Sequence, residues 1–235
     1  MRKEIITVGS FVHVMVRGNK QAPIFRQKSD LWRMLFGLFY VNTGRSSLNW
    51  MRELEKEKIG PQSFAWPKNW GEKNPLVSIL AFTIMPNHFH LILKETMEGG
   101  VSNFMQKFSM GYSKFINAKY KENGSLFQGK FKAKILDTDE YLCRATVYVL
   151  VKNTFELYPH GGLEWAKKNF DDAWQWGTEY PFSSLAHYAG KTNSPILDKK
   201  AIDEVFDLPG DYKKFSKDYI SGRALDSEED DEELE

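Results

Sequence analysis

The 235-residue chain predicts an α+β fold, an antiparallel sheet of about four strands with helices on one face. Three observations carry this. Four segments read as strands closed by turn chemistry. Three longer segments place apolar residues at helical spacing. The two kinds interleave as strand, helix, strand, strand, helix, strand, helix, an order that lays helices on a sheet.

The first strand is read over residues 9–17, where Phe11, His13 and Met15 alternate with Val12, Val14 and Val16. Gly18-Asn19 ends it. Ser29-Asp30 is placed to cap a helix reaching about Val41, with Leu31, Met34, Leu35 and Leu38 on one side. Residues 45–74 read as an insertion: a charged helix over 47–58, then a loop carrying Trp66 and Trp70 that packs on the body by its aromatic rings. Leu76 to Ile84 is the second strand. Met85-Pro86-Asn87 turns the chain, and His88 to Lys94 is the third.

Gly99-Gly100 precedes a long helix over about 102–121, with Phe104, Phe108, Tyr112, Phe115 and Ile116 as its apolar stripe. Residues 126–136 read as a loop entering a fourth strand. Asp137-Thr-Asp-Glu140 is a capping-box pattern opening a helix over about 138–155. Its β-branched run, Val147 to Val151, argues weakly against helix; cap and length argue for it. Past Pro159 the chain reads as loop-rich, with short helices at 162–168 and 200–207. The expected organisation is a main domain over 1–190, a helical extension over 191–225, and an acidic disordered tail over 226–235.

Composition narrows the function classes. No apolar run reaches the roughly 18 residues of a membrane span. No signal-peptide pattern opens the chain. The single cysteine, Cys143, excludes a disulfide framework and fits a reducing compartment, so a cytoplasmic protein is expected. The net charge of +1 hides an asymmetry. The last ten residues hold eight acids; without them, 32 bases face 23 acids. Residues 101–134 contain seven lysines and one acid, Glu122. A basic body suits a polyanionic partner such as nucleic acid, although solvating lysines explain such a charge equally well.

The candidate chemistry sits in Met-Pro-Asn-His-Phe-His-Leu-Ile-Leu at 85–93. On a strand, His88 and His90 project from one face with Cβ atoms about 7 Å apart. Phe89, Leu91 and Leu93 point to the core. Two imidazoles at that spacing can converge on a metal ion or a phosphate; a half-exposed polar face is the plainer explanation. A hard ion such as Mg²⁺ or Mn²⁺ takes about six ligands, the remainder being water or phosphate oxygens. That arrangement suits phosphodiester chemistry, which also needs a nucleophile: water or a side-chain hydroxyl.

Six strings recur in order: RGN at 17–19, PIF at 23–25, MPNHFHLIL at 85–93, GSLFQGKFKA at 124–133, DEYL at 139–142 and YPFSS at 180–184. Together they resemble the REP-associated branch of the single-tyrosine HUH transposases, over about residues 9–190 apart from the insertion. The resemblance implies a ferredoxin-like core and a Mg²⁺ or Mn²⁺ site at His88 and His90. It implies Tyr148 as the nucleophile, selected over Tyr141, Tyr112 and Tyr120. It also implies a 5′-phosphotyrosine link on single-stranded or hairpin DNA. Gln128, Lys130 and Lys132, with Arg17 and Asn19, are the DNA contacts expected, and a homodimer is compatible with it.

One position departs from the family pattern. The family places Asn four residues after the tyrosine, where this chain has Lys152; its asparagine is Asn153. A protonated lysine cannot ligate a metal. Lys152 is therefore read as a phosphate contact and Asn153 as a third ligand if a local bulge brings it round. A catalytically impaired DNA-binding relative and a water-using metal phosphoesterase are the competing readings.

Overall fold

Phe11–Arg17 forms β1, a seven-residue strand with an interior of valines and Met15 buried on both faces. The computed structural model to which it belongs describes residues 5–45, 50–59, 63–205, 212–222 and 234. Val77–Ile84 forms β2, His88–Glu95 forms β3, and Lys132–Leu136 forms β4. The sheet order is β2-β3-β1-β4, and every neighbouring pair is antiparallel. With one helix after β1 and another after β3, this is the ferredoxin-like topology that the order of elements predicts.

Register decides what each face carries. Met15 lies opposite His90 and Arg17 opposite His88, so β1 and β3 place these four side chains on one face. Val12, Val14, Val16, Phe89, Leu91 and Leu93 occupy the other. Against that second face pack helix α1, Lys28–Tyr40, and helix α3, Gly100–Tyr120. Phe89 meets Phe108 of α3 edge to face, with ring centres 5.4 Å apart. The two helices close on each other where α1 has no side chain: a Cβ on Gly37 would lie 2.8 Å from the Phe108 ring.

The start of α1 differs from the expected cap. Gln27 is the cap residue, and Asp30 stands at the third helical position, accepting from the Gln27 and Arg26 backbone N–H groups. The buried Asp30 carboxylate also accepts from Lys119 and Tyr120 of α3. A carboxylate with four donors serves better inside the first turn than ahead of it. In the insertion, α2 spans Trp50–Lys56. Trp50 stacks on Tyr40 at 5.6 Å, and Trp66 and Trp70 pack on the same tyrosine. The insertion is thus held to α1 by rings.

The histidine-bearing face is also covered, which makes a third layer. Thr138 caps α4, Asp139–Val147, by accepting from the Tyr141 N–H. The helix continues as a π-helical turn over Tyr148–Lys152 and ends as α5, Asn153–Glu156. This β-branched stretch does stay helical, but with a widened turn.

Beyond it lie α6, Gly162–Lys168, and α7, Phe170–Glu179. The loop-rich expectation missed α7. Its stripe of Phe170, Ala173, Trp174, Gly177 and Thr178 has helical spacing, but small and polar members dilute the apolar signal. Short helices α8, Leu185–Tyr188, and α9, Lys199–Asp203, follow, then α10, Tyr212–Ile220. Asp198 caps α9 and accepts from Ser78 of β2. Tyr212 packs on Tyr188 at 5.1 Å. The expected disordered tail falls, Leu234 apart, outside the described residues.

Candidate active site at the histidine strand

β3 holds His88 and His90 on one face, as the alternation of a strand requires, with ring centres 4.9 Å apart. His90 is 2% exposed, while His88, at the strand's start, is half-buried. The Nδ1 of His88 lies 2.7 Å from the Asn87 amide oxygen. That oxygen only accepts, so Nδ1 carries the proton and the lone pair sits on Nε2.

His90 is held from the other side. Its Nδ1 lies 2.8 Å from Nε2 of His13 on β1, and the two rings stack nearly parallel at 5.1 Å. The Nε2 of His90 is buried and meets no hydrogen-bond partner among the described residues. A bare lone pair there costs less than an orphaned N–H. The favoured tautomer has His90 donating from Nδ1 to His13, again with the lone pair on Nε2. Burial keeps both rings neutral. It pulls His13 down to about 3. It also carries His90 well below the ordinary imidazole value, helped by His13, His88, Arg17 and Lys152.

Sequence alternation alone put His13 on the same side of its strand as Met15. Only the β1–β3 register brought it beside His90, and no function was read for it in sequence.

The π-helical turn supplies the opposite wall. The Tyr148 ring stands 5.6 Å from His90 and 6.0 Å from His13, edge-on to both. Tyr148 is 2% exposed. The Lys152 ammonium lies 4.8 Å from the centre of that ring. The competing tyrosines on α3 are elsewhere, the Tyr112 hydroxyl donating to the Ile24 carbonyl and the Tyr120 hydroxyl to Asp30.

The Asn153 N–H donates to the Tyr148 carbonyl five residues back. In such a turn the fifth residue stands roughly where the fourth would in an α-helix. The turn therefore carries Asn153 toward the Tyr148 side of the helix. Asn153 is buried, and its amide nitrogen meets no partner among the described residues.

Arg17, Gln128, Lys130 and Lys132 line one open pocket of about 320 Å³, together with Met15. Register places Met15 and Arg17 beside His90 and His88, so the pocket adjoins the histidine pair. The Gln128 N–H donates to the Arg17 carbonyl, which ties the loop before β4 to the end of β1. Asn19 is exposed, bonds through its backbone to Leu126, and does not line the pocket.

Two neighbouring imidazoles, each with its lone pair on Nε2, suit a divalent cation, with oxygens completing its shell. Among the described residues no group of three or more His, Cys, Asp or Glu side chains is placed to hold a metal. The donor set thus fits a two-histidine site finished by amide, water or phosphate oxygen. Among the same residues no helix is long and apolar enough to cross a membrane.

A search of curated proteins finds no match. Among solved structures, a REP-associated tyrosine transposase bound to a REP hairpin aligns at 12% identity. The alignment covers 90% of this chain and 92% of that one, with a TM-score of 0.46. A tRNA(His) guanylyltransferase from Saccharomyces cerevisiae aligns at 10% identity over 93% and 80%, with a TM-score of 0.35. Likeness at these scores carries no functional argument. The family model for IS200-like transposases matches residues 67–149, which run from the insertion through β2, β3, α3, β4 and α4 to the first residues of the π-helical turn. The segment holding the histidine pair and Tyr148 is thus similar to IS200-like transposases.

Proposed function

We propose that the protein is a metal-dependent endonuclease and strand transferase for single-stranded, hairpin-forming DNA, acting through Tyr148. One observation carries the reading: the Tyr148 ring stands 5.6 Å from His90, in a segment similar to IS200-like transposases. The Tyr148 oxygen attacks a DNA phosphorus. A 5′-phosphotyrosine bond forms, the P–O3′ bond breaks, and the leaving oxygen takes a proton to become a free 3′-OH. A 3′-OH from a second strand then reverses the step and releases the tyrosine, so no external energy source is consumed. The Lys152 cation, 4.8 Å from the ring, offers positive charge to the phenolate and to the phosphate.

His88 and His90 would hold Mg²⁺ or Mn²⁺ through Nε2, with Asn153 as the third contributor. When bound, the ion supplies Lewis-acid polarisation of the scissile phosphate. Arg17, Gln128, Lys130 and Lys132 give the strand a basic path beside the pair.

The burial of Tyr148 favours a second reading, a relative that binds DNA without cleaving it. A labelled hairpin DNA set incubated with Mn²⁺ separates the two. Cleavage is expected to leave a denaturation-resistant protein–DNA adduct that Tyr148→Phe abolishes. Binding with no adduct supports the second reading. Cleavage without an adduct points to water as nucleophile.

A further inference from the structure

On the far side of the sheet, α1, α3 and the insertion enclose a half-open pocket of about 440 Å³. Arg33, Arg45, Lys107 and Lys114 line it, and among the described residues no acidic one does. Arg33 is the informative member. Its guanidinium lies 4.2 Å from the centre of the Trp50 ring and 5.4 Å from that of Phe115. A guanidinium set over ring faces keeps its N–H groups available to donate. Among the described residues no carboxylate, carbonyl or hydroxyl accepts from it. Burial lowers its affinity for a proton, to a pKa of about 10. The guanidinium is half-buried, and the fold gives it ring faces rather than an anion, which leaves it open to an anionic ligand.

The neighbouring cations are only partly spent. Glu53 takes Arg45, the Lys107 ammonium donates to the Thr43 and Arg45 carbonyls, and exposed Lys114 has no ion pair among the described residues. Lys107 and Lys114 stand about 10 Å apart along α3 at 1.5 Å per residue. That spread exceeds one phosphate group and matches an extended polyanion.

We propose that this pocket binds the phosphate backbone of a single-stranded nucleic acid, with Arg33 as its central contact. The site is separate from the histidine face, because α1 and α3 cover the opposite side of the sheet. It would hold one part of a strand while another part reaches the catalytic side, and it stands whether or not Tyr148 cleaves.

The test is binding of a fluorescent thymidine oligomer to the full chain in EDTA, read by anisotropy at several salt concentrations. Arg33→Gln is expected to weaken binding about tenfold and to lower the slope of log K against log salt by about 1. Lys114→Gln, at an exposed position, should lower the slope similarly with an unchanged melting temperature. Unchanged slopes for both variants would overturn the proposal. So would a gain in stability of Arg33→Gln with oligomer binding intact, which marks a purely structural arginine. Inorganic phosphate competing as well as the oligomer, per phosphate, would overturn the strand assignment.

Discussion

His13 shows how a residue with no apparent role in sequence acquires one through its neighbour. Its Nε2 meets Nδ1 of His90 at 2.8 Å inside the protein, where no water competes. If His90 ligates a cation through Nε2, His13 is the acceptor that sets the tautomer and the ring plane. Loss of such a partner typically costs 10–100-fold in metal affinity. His13→Phe keeps a ring against Tyr148 but removes the acceptor. Calorimetric titration with Mn²⁺ is expected to show binding weakened about tenfold or more, with His88→Ala weaker still. Equal Mn²⁺ affinity in His13→Phe would remove His13 from the site. The same pair explains why the two histidines of the HxH string are unequal: His88 is anchored by its neighbour Asn87, His90 by a residue 77 positions away.

At the scale of the element, the π-helical turn at Tyr148–Lys152 matters most. Lys152 occupies the place of the expected asparagine, and the chain accommodates it by widening the helix by one residue. The β-branched run makes the widening intelligible, because crowded Val149 and Val151 gain little from a tight α turn. This assigns different work to adjacent residues. Asn153→Ala is expected to weaken Mn²⁺ binding about tenfold, while Lys152→Ala leaves it within about twofold. Lys152→Ala should instead reduce the salt slope of hairpin binding by about 1. The reverse assignment of effects would place the lysine, not the asparagine, at the ion.

At the scale of the molecule, the buried histidines make stability depend on pH. In the unfolded chain His13 takes a proton near 6.5; folded, it does so only near 3. Between these values the unfolded state binds more protons, so stability is full above pH 6.5 and falls as pH drops toward 3. The slope for one such group is about 1.4 kcal/mol per pH unit, or about 2 kcal/mol between pH 6.5 and 5. Denaturant unfolding at those two pH values measures it. His13→Phe is expected to reduce the difference while His90 keeps part of it, and a flat wild-type profile would contradict the burial of the pair as neutral rings. The three-layer build underlies this. A half-exposed sheet face would leave His13 and His90 in water, whereas Tyr148 of the π-helical turn packs on both and the two rings are buried.

The strands, the two helices over 28–40 and 100–120, and the same-face placement of His88 and His90 were legible in sequence, because period and turn chemistry are local properties. So was the grouping of Gln128, Lys130 and Lys132, which lie within five residues of one another. Helix α7 was obscured by its small and polar positions, and the cap of α1 by donors that arrive from α3. Tertiary structure alone decided the contact of His13 with His90, the widened turn that re-aims Asn153, and the Arg33 pocket. Each depends on register between distant strands, on the hydrogen-bond spacing of one helical turn, or on an insertion folded against another helix. Those are long-range packing outcomes that no local pattern encodes.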